Sequence, residues 1–232
     1  LKAAQLLPMA ITVQTNQELN NLTQLPDEIV LKTEFEHIVS APLPLQLAQA
    51  GLLHVYRPHD GGDEHYAIEI GVPDRTSPVL TRLHSACFTG DVLGSLKCDC
   101  GSQLNGAIEQ MAREGAGVLL YLNQEGRGIG LANKMRAYKL QDQGFDTVEA
   151  NHRLGFEDDE RDFKIGADLL KSLGFSSIRL MTNNPLKVLR LEDQGLKVIE
   201  RVPLIVGQTD QNHDYLRTKA DKSGPVSYTH LR

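Results

Sequence analysis

With 24 Lys+Arg against 30 Asp+Glu, the 232-residue chain carries a formal net charge of −6. That balance excludes nonspecific nucleic-acid binding as its main business and obliges any anionic substrate to find locally gathered cations. A hydrophobic content of 41% with 5% aromatics and no Trp fits an ordinary α/β protein of one large or two small domains. No apolar run reaches the ~18–20 residues that span a bilayer. LKAAQLLPMAITV lacks a clear small-residue cleavage motif, so it is not read as a signal peptide. Cysteines expected to be reduced then point to the cytoplasm, with neither membrane nor nucleic acid as a partner.

Taken in chain order, residues 1–45 are the least informative. They begin with Leu, and we expect an N-terminal appendage, a remnant of a longer region. From Gly51 the pattern turns to strands: LLHVYRP, HYAIEIGV and SPVLTRLHSACF are short, β-branched or alternating runs. HDGGDE between the first two reads as a turn, and the flanking His59 and His65 as solvated turn residues rather than metal ligands. Residues 46–100 are therefore expected to form an antiparallel β layer.

Beyond it, helix and strand alternate. Ser102 can cap a helix in which Leu104, Ala107, Ile108, Met111 and Ala112 recur at helical spacing, ending near Gly115. VLLYL at 118–122 is a continuous apolar strand of the buried kind. Helices follow at about 131–143 and 161–173, then the strand IRLM at 178–181. A helix from Pro185 to Gly195 and the strand KVIERV close the set. Strand–helix–strand order implies parallel pairing with ligands at the carboxyl ends of the strands, giving a mixed α/β fold.

All three cysteines, Cys87, Cys98 and Cys100, lie in one stretch with spacing C-x10-C-x-C. On an extended segment Cys98 and Cys100 point to the same side. The turn formers Gly90-Asp91 and Gly94-Ser95 let the chain return to Cys87. Three converging thiolates suit Zn²⁺ and leave a fourth position for water, as in a catalytic site. Three buried, unconnected cysteines are the plainer alternative.

Other motifs also have two readings on their residues alone. NQEGRGIG after the 118–122 strand is either a phosphate-facing glycine loop or a tight strand–helix connection. FEDDERDF is a solvated charge run or a polar site segment. TNNP is a strand–helix connection with a helix cap, or a ligand contact. Tyr138 defaults to a core tyrosine.

Together HSACFTGDVLGSLKCDCGSQL, NQEGRGIGLANKMRAYKLQDQG, DTVEANHRLGFEDDERDF, LMTNNPLK and ERVPLIVG resemble GTP cyclohydrolase II, the first enzyme of riboflavin biosynthesis, in its order and spacing. The resemblance covers roughly Gln46 to Gly224. It implies a catalytic domain over 46–224 and leaves PVSYTHLR at 225–232 as an artefactual tail.

The implied reaction is zinc-dependent opening of the imidazole ring of GTP, with release of formate and of pyrophosphate. It implies one Zn²⁺ on Cys87, Cys98 and Cys100, Mg²⁺ with the substrate phosphates, and a homodimer. Matching the motifs residue by residue implies that Asp159 is a proton acceptor and Arg161 a nucleophile toward the α-phosphorus or an electrostatic stabiliser, with Tyr138 also catalytic. The same matching gives GTP contacts at Arg82, Leu83, His84, Ser85, Ala86, Gln103, Glu125, Gly126, Arg127, Thr147, Thr182 and Lys187. One departure stands out: Ala86 occupies the position where the family has Glu, in H-S-E-C. It keeps open a diverged paralogue with partial or different ring-opening activity, and a non-catalytic zinc-stabilised nucleotide-binding protein.

Overall fold

The structure, a computed structural model, describes residues 34–209; the expectations for the first 33 residues and for 225–232 lie outside them. Seven strands form one mixed sheet: β1 (Phe35–Pro42), β2 (Gly51–Pro58), β3 (His65–Gly71), β4 (Val79–Ser85), β5 (Ala116–Leu122), β6 (Ser177–Met181) and β7 (Lys197–Val202). Their spatial order is β1-β2-β3-β5-β4-β6-β7. Five α-helices accompany them: α1 (Cys100–Glu114), α2 (Gly130–Gln141), α3 (Thr147–Arg153), α4 (Lys164–Ser172) and α5 (Pro185–Asp193).

The sheet has two halves. β1, β2, β3 and β5 pair antiparallel, whereas β4 lies parallel between β5 and β6, with β7 parallel beyond. The expected antiparallel layer thus holds for β2 and β3, and β4 leaves it. Six of the seven β4 residues are buried, because both faces of the parallel half are covered. Such a strand reads as a near-continuous apolar run whose neighbour cannot be told from its own residues. β1 is a further addition, an edge strand where no strand was foreseen; seven of its eight residues are exposed, so it shows no core-facing alternation.

Alternation along β5 divides the core. Val118, Leu120 and Leu122 face a cluster with Leu83, Phe163, Ala167, Leu170, Ile178 and Leu191, which includes α4 and α5. Leu119 faces Leu80, Ala107, Met111 and Met181 beside α1. Truncating a fully buried residue such as Leu120 to Ala costs about 2–5 kcal/mol of transfer and cavity energy.

Several helix boundaries move from expectation. α1 starts at Cys100 after Asp99 rather than at a Ser102 cap, and α4 starts at Lys164. Unforeseen α3 is short and is held by a capping box, Asp146 accepting from Glu149 N while the Glu149 side chain accepts from Asp146 N. α5 keeps its expected start, with the Asn184 side chain accepting from Leu186 N and Pro185 in the first turn.

The parallel half sets the site. β4, β5 and β6 end at Ser85, Leu122 and Met181, so the cysteine loop, the glycine-rich turn and TNNP all leave the sheet from one edge.

Candidate active site

Cys87 lies two residues past Ser85, the end of β4. Its backbone N–H donates to Asp91 Oδ2 at 3.0 Å, and Tyr121 Oη donates to the same oxygen at 3.0 Å. The buried His84 ring also meets Asp91, with Nε2 3.0 Å from Oδ2. Burial lowers the His84 pKa despite that carboxylate. A π-helical turn, Phe88–Val92, then carries the chain round, with Gly90 N–H donating to Cys87 Sγ at 3.3 Å.

Close approach requires glycine there. A Cβ at Gly90 would lie 2.8 Å from Cys98 Sγ, 2.9 Å from Cys100 Cβ and 3.1 Å from Cys87 Sγ. The three sulfurs lie within 4.8 Å of one another, and Cys87 and Cys98 are 3.7 Å apart. A tetrahedral ion with metal–sulfur bonds of about 2.3 Å spaces its sulfurs by roughly 3.8 Å, so the cluster fits a metal ion. Hydrogen bonds from Cys100 and Cys98, and the nearby Lys134, push the Cys87 pKa far below the ordinary thiol value. Cys100 moves the other way, raised by its bonds to Cys87 and Cys98 and by burial.

Across the cleft, a 3-10 turn at Glu125–Gly128 links β5 to α2, and Gly126 and Arg127 both adopt left-handed backbone at φ 64° and 62°. Arg127 is the sole non-glycine residue with positive φ among those described, at a cost of about 1–3 kcal/mol. That conformation turns its carbonyl to accept from Glu160 N at 3.0 Å and its Nη1 to donate to Asp158 O at 3.1 Å. The turn thereby holds the 157–161 segment in place. Its amides serve the protein itself: Gly126 N–H donates to Glu125 Oε1 at 3.0 Å and Gly128 N–H to Gln124 O at 3.2 Å. The open glycine-loop anion cradle suggested by sequence is therefore only partly present.

Arg161 forks onto Asp159 through Nε to Oδ1 at 2.7 Å and Nη2 to Oδ2 at 2.6 Å, while Nη1 donates to Ser85 Oγ at 3.3 Å. Burial alone would raise the Asp159 pKa, but the Arg161 guanidinium outweighs it and holds the carboxyl below its usual range. Tyr138, on α2, has its phenol pKa pushed up to about 12 by burial and so stays protonated at neutral pH. Arg82 donates to Met181 O at 3.0 Å and bonds Gln103, which bonds Asp99. Lys187 Nζ reaches Leu83 O at 3.4 Å, and Thr182 Oγ1 accepts from Asn184 N at 3.1 Å.

One cleft of about 1050 Å³ gathers all of this. It is lined by Cys87, Cys98, Cys100 and the whole 82–86 segment; by Gln103, Glu125, Gly126, Arg127 and Tyr138; and by Thr147, Asp159, Arg161, Thr182 and Lys187. Sequence reasoning missed Asp99, Lys134, Asn151, His152, Asn183 and Arg190, which also line it. Asp99, flanked by two candidate ligands, carried a local signal; Lys134 on a helical face carried none. His59 is exposed as expected, but His65 is buried and not a solvated turn residue. Its Nδ1 accepts the Asn123 N–H at 3.0 Å, which ties the start of β3 to the end of β5. Among the described residues only the three cysteines group as metal ligands.

Comparison with known proteins matches residues 36–203 to the family model described as GTP cyclohydrolase II. A protein named GTP cyclohydrolase-2 from Azospirillum brasilense is 57% identical over 187 residues, 81% of this chain and 49% of its own length. Proteins of the same name from Shigella boydii and Escherichia coli are 58% and 59% identical over 163 residues, covering 70% of this chain and 83% of theirs. The aligned stretch thus spans about half of the Azospirillum protein and most of the other two. A solved two-domain 3,4-dihydroxy-2-butanone 4-phosphate synthase from A. baumannii aligns at TM-score 0.41 and 20% identity, over 75% of this chain and 41% of its own.

Proposed function

The chain belongs to the GTP cyclohydrolase II family, and from that premise we propose that it is a metal-dependent hydrolase acting on GTP. The reaction opens the guanine imidazole ring, releases formate and pyrophosphate, and yields 2,5-diamino-6-ribosylamino-4(3H)-pyrimidinone 5′-phosphate, the first step of riboflavin biosynthesis. One observation carries the reading: a thiolate cluster, a glycine-rich turn, a carboxylate–guanidinium pair and TNNP, far apart in sequence, line a single cleft.

The proposed metal is Zn²⁺ held by Cys87, Cys98 and Cys100, which would supply Lewis acidity and an activated water for hydrolysis at C8. The chain's own residues do the rest. Arg82, Arg127, Arg161 and Lys187 gather cations in the cleft of a molecule whose net charge is −6, beside the carboxylates Asp99, Glu125, Glu157, Asp158 and Asp159 that also line it. These cations would receive the triphosphate, with Mg²⁺ arriving on it. Tyr138, protonated at neutral pH, can donate to a developing negative charge on the base. Asp159 orients Arg161 and leaves Nη1 as the donor on the Ser85 side. A guanidinium oriented in this way favours electrostatic stabilisation of the departing pyrophosphate. Nucleophilic attack by Arg161 would first require its proton to pass to Asp159.

A cytoplasmic homodimer completes the proposal. The three cysteines are free thiols, and no helix among the described residues is long and apolar enough to cross a membrane. Light scattering tests the dimer. Incubation with GTP and Mg²⁺, with formate and pyrophosphate assayed together, tests the activity. Both products support the proposal; one alone indicates a diverged paralogue. Neither product, despite GTP binding, indicates the non-catalytic reading.

A further inference from the structure

Lys134 on α2 is the only buried lysine among the described residues. Its Nζ donates to Cys87 Sγ at 3.1 Å, Thr89 Oγ1 at 2.9 Å and Glu125 Oε1 at 2.9 Å. An ammonium has three donors, so these partners saturate it and none is left for a phosphate. Although Lys134 borders the cleft, it faces the cysteine loop. A buried charge is tolerated only where it is paired, and the pairing here joins three segments: the loop after β4, the 3-10 turn and α2. Glu125 closes the link, since its Oε2 accepts from Phe88 N at 2.6 Å, the residue after Cys87.

Electrostatics gives the link a purpose. Three thiolates around a divalent ion leave one excess negative charge, and Lys134 is the cation in contact with one of the sulfurs. Hydrogen bonding to a thiolate draws electron density off the sulfur, and outer-shell partners of this kind tune the ligands they touch.

We propose that Lys134 is a positioning residue for the metal centre, partly offsetting the negative charge on Cys87 with an ammonium it shares with the Glu125 carboxylate, and fastening that ligand to the glycine-rich turn through Glu125. The proposal rests on the reading of Cys87, Cys98 and Cys100 as the metal ligands. It predicts that loss of the ammonium weakens metal binding and enriches the remaining thiolates in electron density, whether or not substrate is present.

The test uses the full chain loaded with Co²⁺, whose thiolate-to-metal absorption reports on the sulfur ligands, and chelator competition for Zn²⁺ affinity. Wild type should take up one Co²⁺ per chain with thiolate absorption. No such uptake would overturn the metal reading itself, before any variant is compared. Given wild-type uptake, Lys134→Met should bind Zn²⁺ about 10–100-fold more weakly, with the charge-transfer band moved to lower energy. Lys134→Arg, which keeps the charge, should recover part of the affinity. Wild-type affinity and an unmoved band in Lys134→Met would overturn the proposal, because a lysine that merely supports the fold would alter melting and leave both readouts alone. Should Lys134→Met fail to fold, Lys134→Gln decides: it keeps a donor and drops the charge, and wild-type affinity there overturns the proposal equally.

Discussion

Arg161 has no freedom to spare: two bonds fix it to Asp159 and a third reaches Ser85 on β4. Its pairing is a planar fork, so lysine cannot replace it. Arg161→Ala should cut pyrophosphate release by about 10²–10³-fold, the scale of losing one preorganised donor to a developing anion. Because the side chain lies in the cleft and meets the apolar core only where its guanidinium covers the Phe163 ring, circular dichroism should show the fold intact. Wild-type pyrophosphate release in that variant would show that the role implied by resemblance does not transfer. Ala86 poses the converse question. It sits between Ser85 and Cys87 and lines the cleft, where a carboxylate could reach the metal's surroundings. If the family glutamate acts through its side chain, Ala86→Glu raises GTP turnover, by about 10–100-fold if it restores a lost outer-shell partner. Unchanged turnover and zinc content assign the position a backbone role; lowered turnover in folded, metal-loaded protein means that the cleft is built around alanine.

At the scale of elements, the turn at Phe88–Val92 and the start of α1 meet with no room between them. Gly90→Ala places its methyl against Cys98 Sγ and Cys100 Cβ, so the sulfurs must spread. We expect reduced zinc per chain by metal analysis, with the sheet and its thermal transition retained; full occupancy would show that the turn yields more easily than its contacts suggest. Cys98→Ser removes one of the proposed ligands and should abolish formate release while the chain stays folded, which distinguishes a catalytic from a structural metal. If pyrophosphate release survives in Cys98→Ser and formate release survives in Arg161→Ala, the two chemistries are separable within one cleft. Loss of both products in each variant would show that they are coupled.

For the whole molecule, the antiparallel half carries two buried imidazoles whose protonation burial opposes. Burial lowers the pKa of His54 and of His65 from the ordinary 6.5, and His65 Nδ1 accepts the Asn123 N–H, which a protonated ring cannot do. The unfolded chain therefore binds these protons more readily than the folded one. Stability is full above about pH 6.5 and falls as pH drops through that value toward the depressed folded pKa values. Urea midpoints should decline between pH 7.5 and 5.5. His65→Gln, whose side-chain oxygen can still accept, should flatten the decline, and an equal slope in wild type and variant would remove His65 as a cause.

The sequence by itself determined most of the elements and pointed to residues that the fold brings to one cleft. The cysteine spacing, the apolar run of β5, Pro185 at a helix start and the motif order are all local signals, set by residue type and period over a few positions. Tertiary structure alone decided that β4 inserts between β5 and β6, that β1 joins the edge, and that Lys134 meets Cys87. Two apolar strands offer equivalent backbone partners, and only the helices packed on both faces select which neighbours fit. Lys134 and Cys87 are 47 residues apart, and His65 and Asn123 58, beyond the reach of any periodicity. Their meeting depends on where β4 and β5 come to lie, which is settled when the whole sheet closes over its two cores.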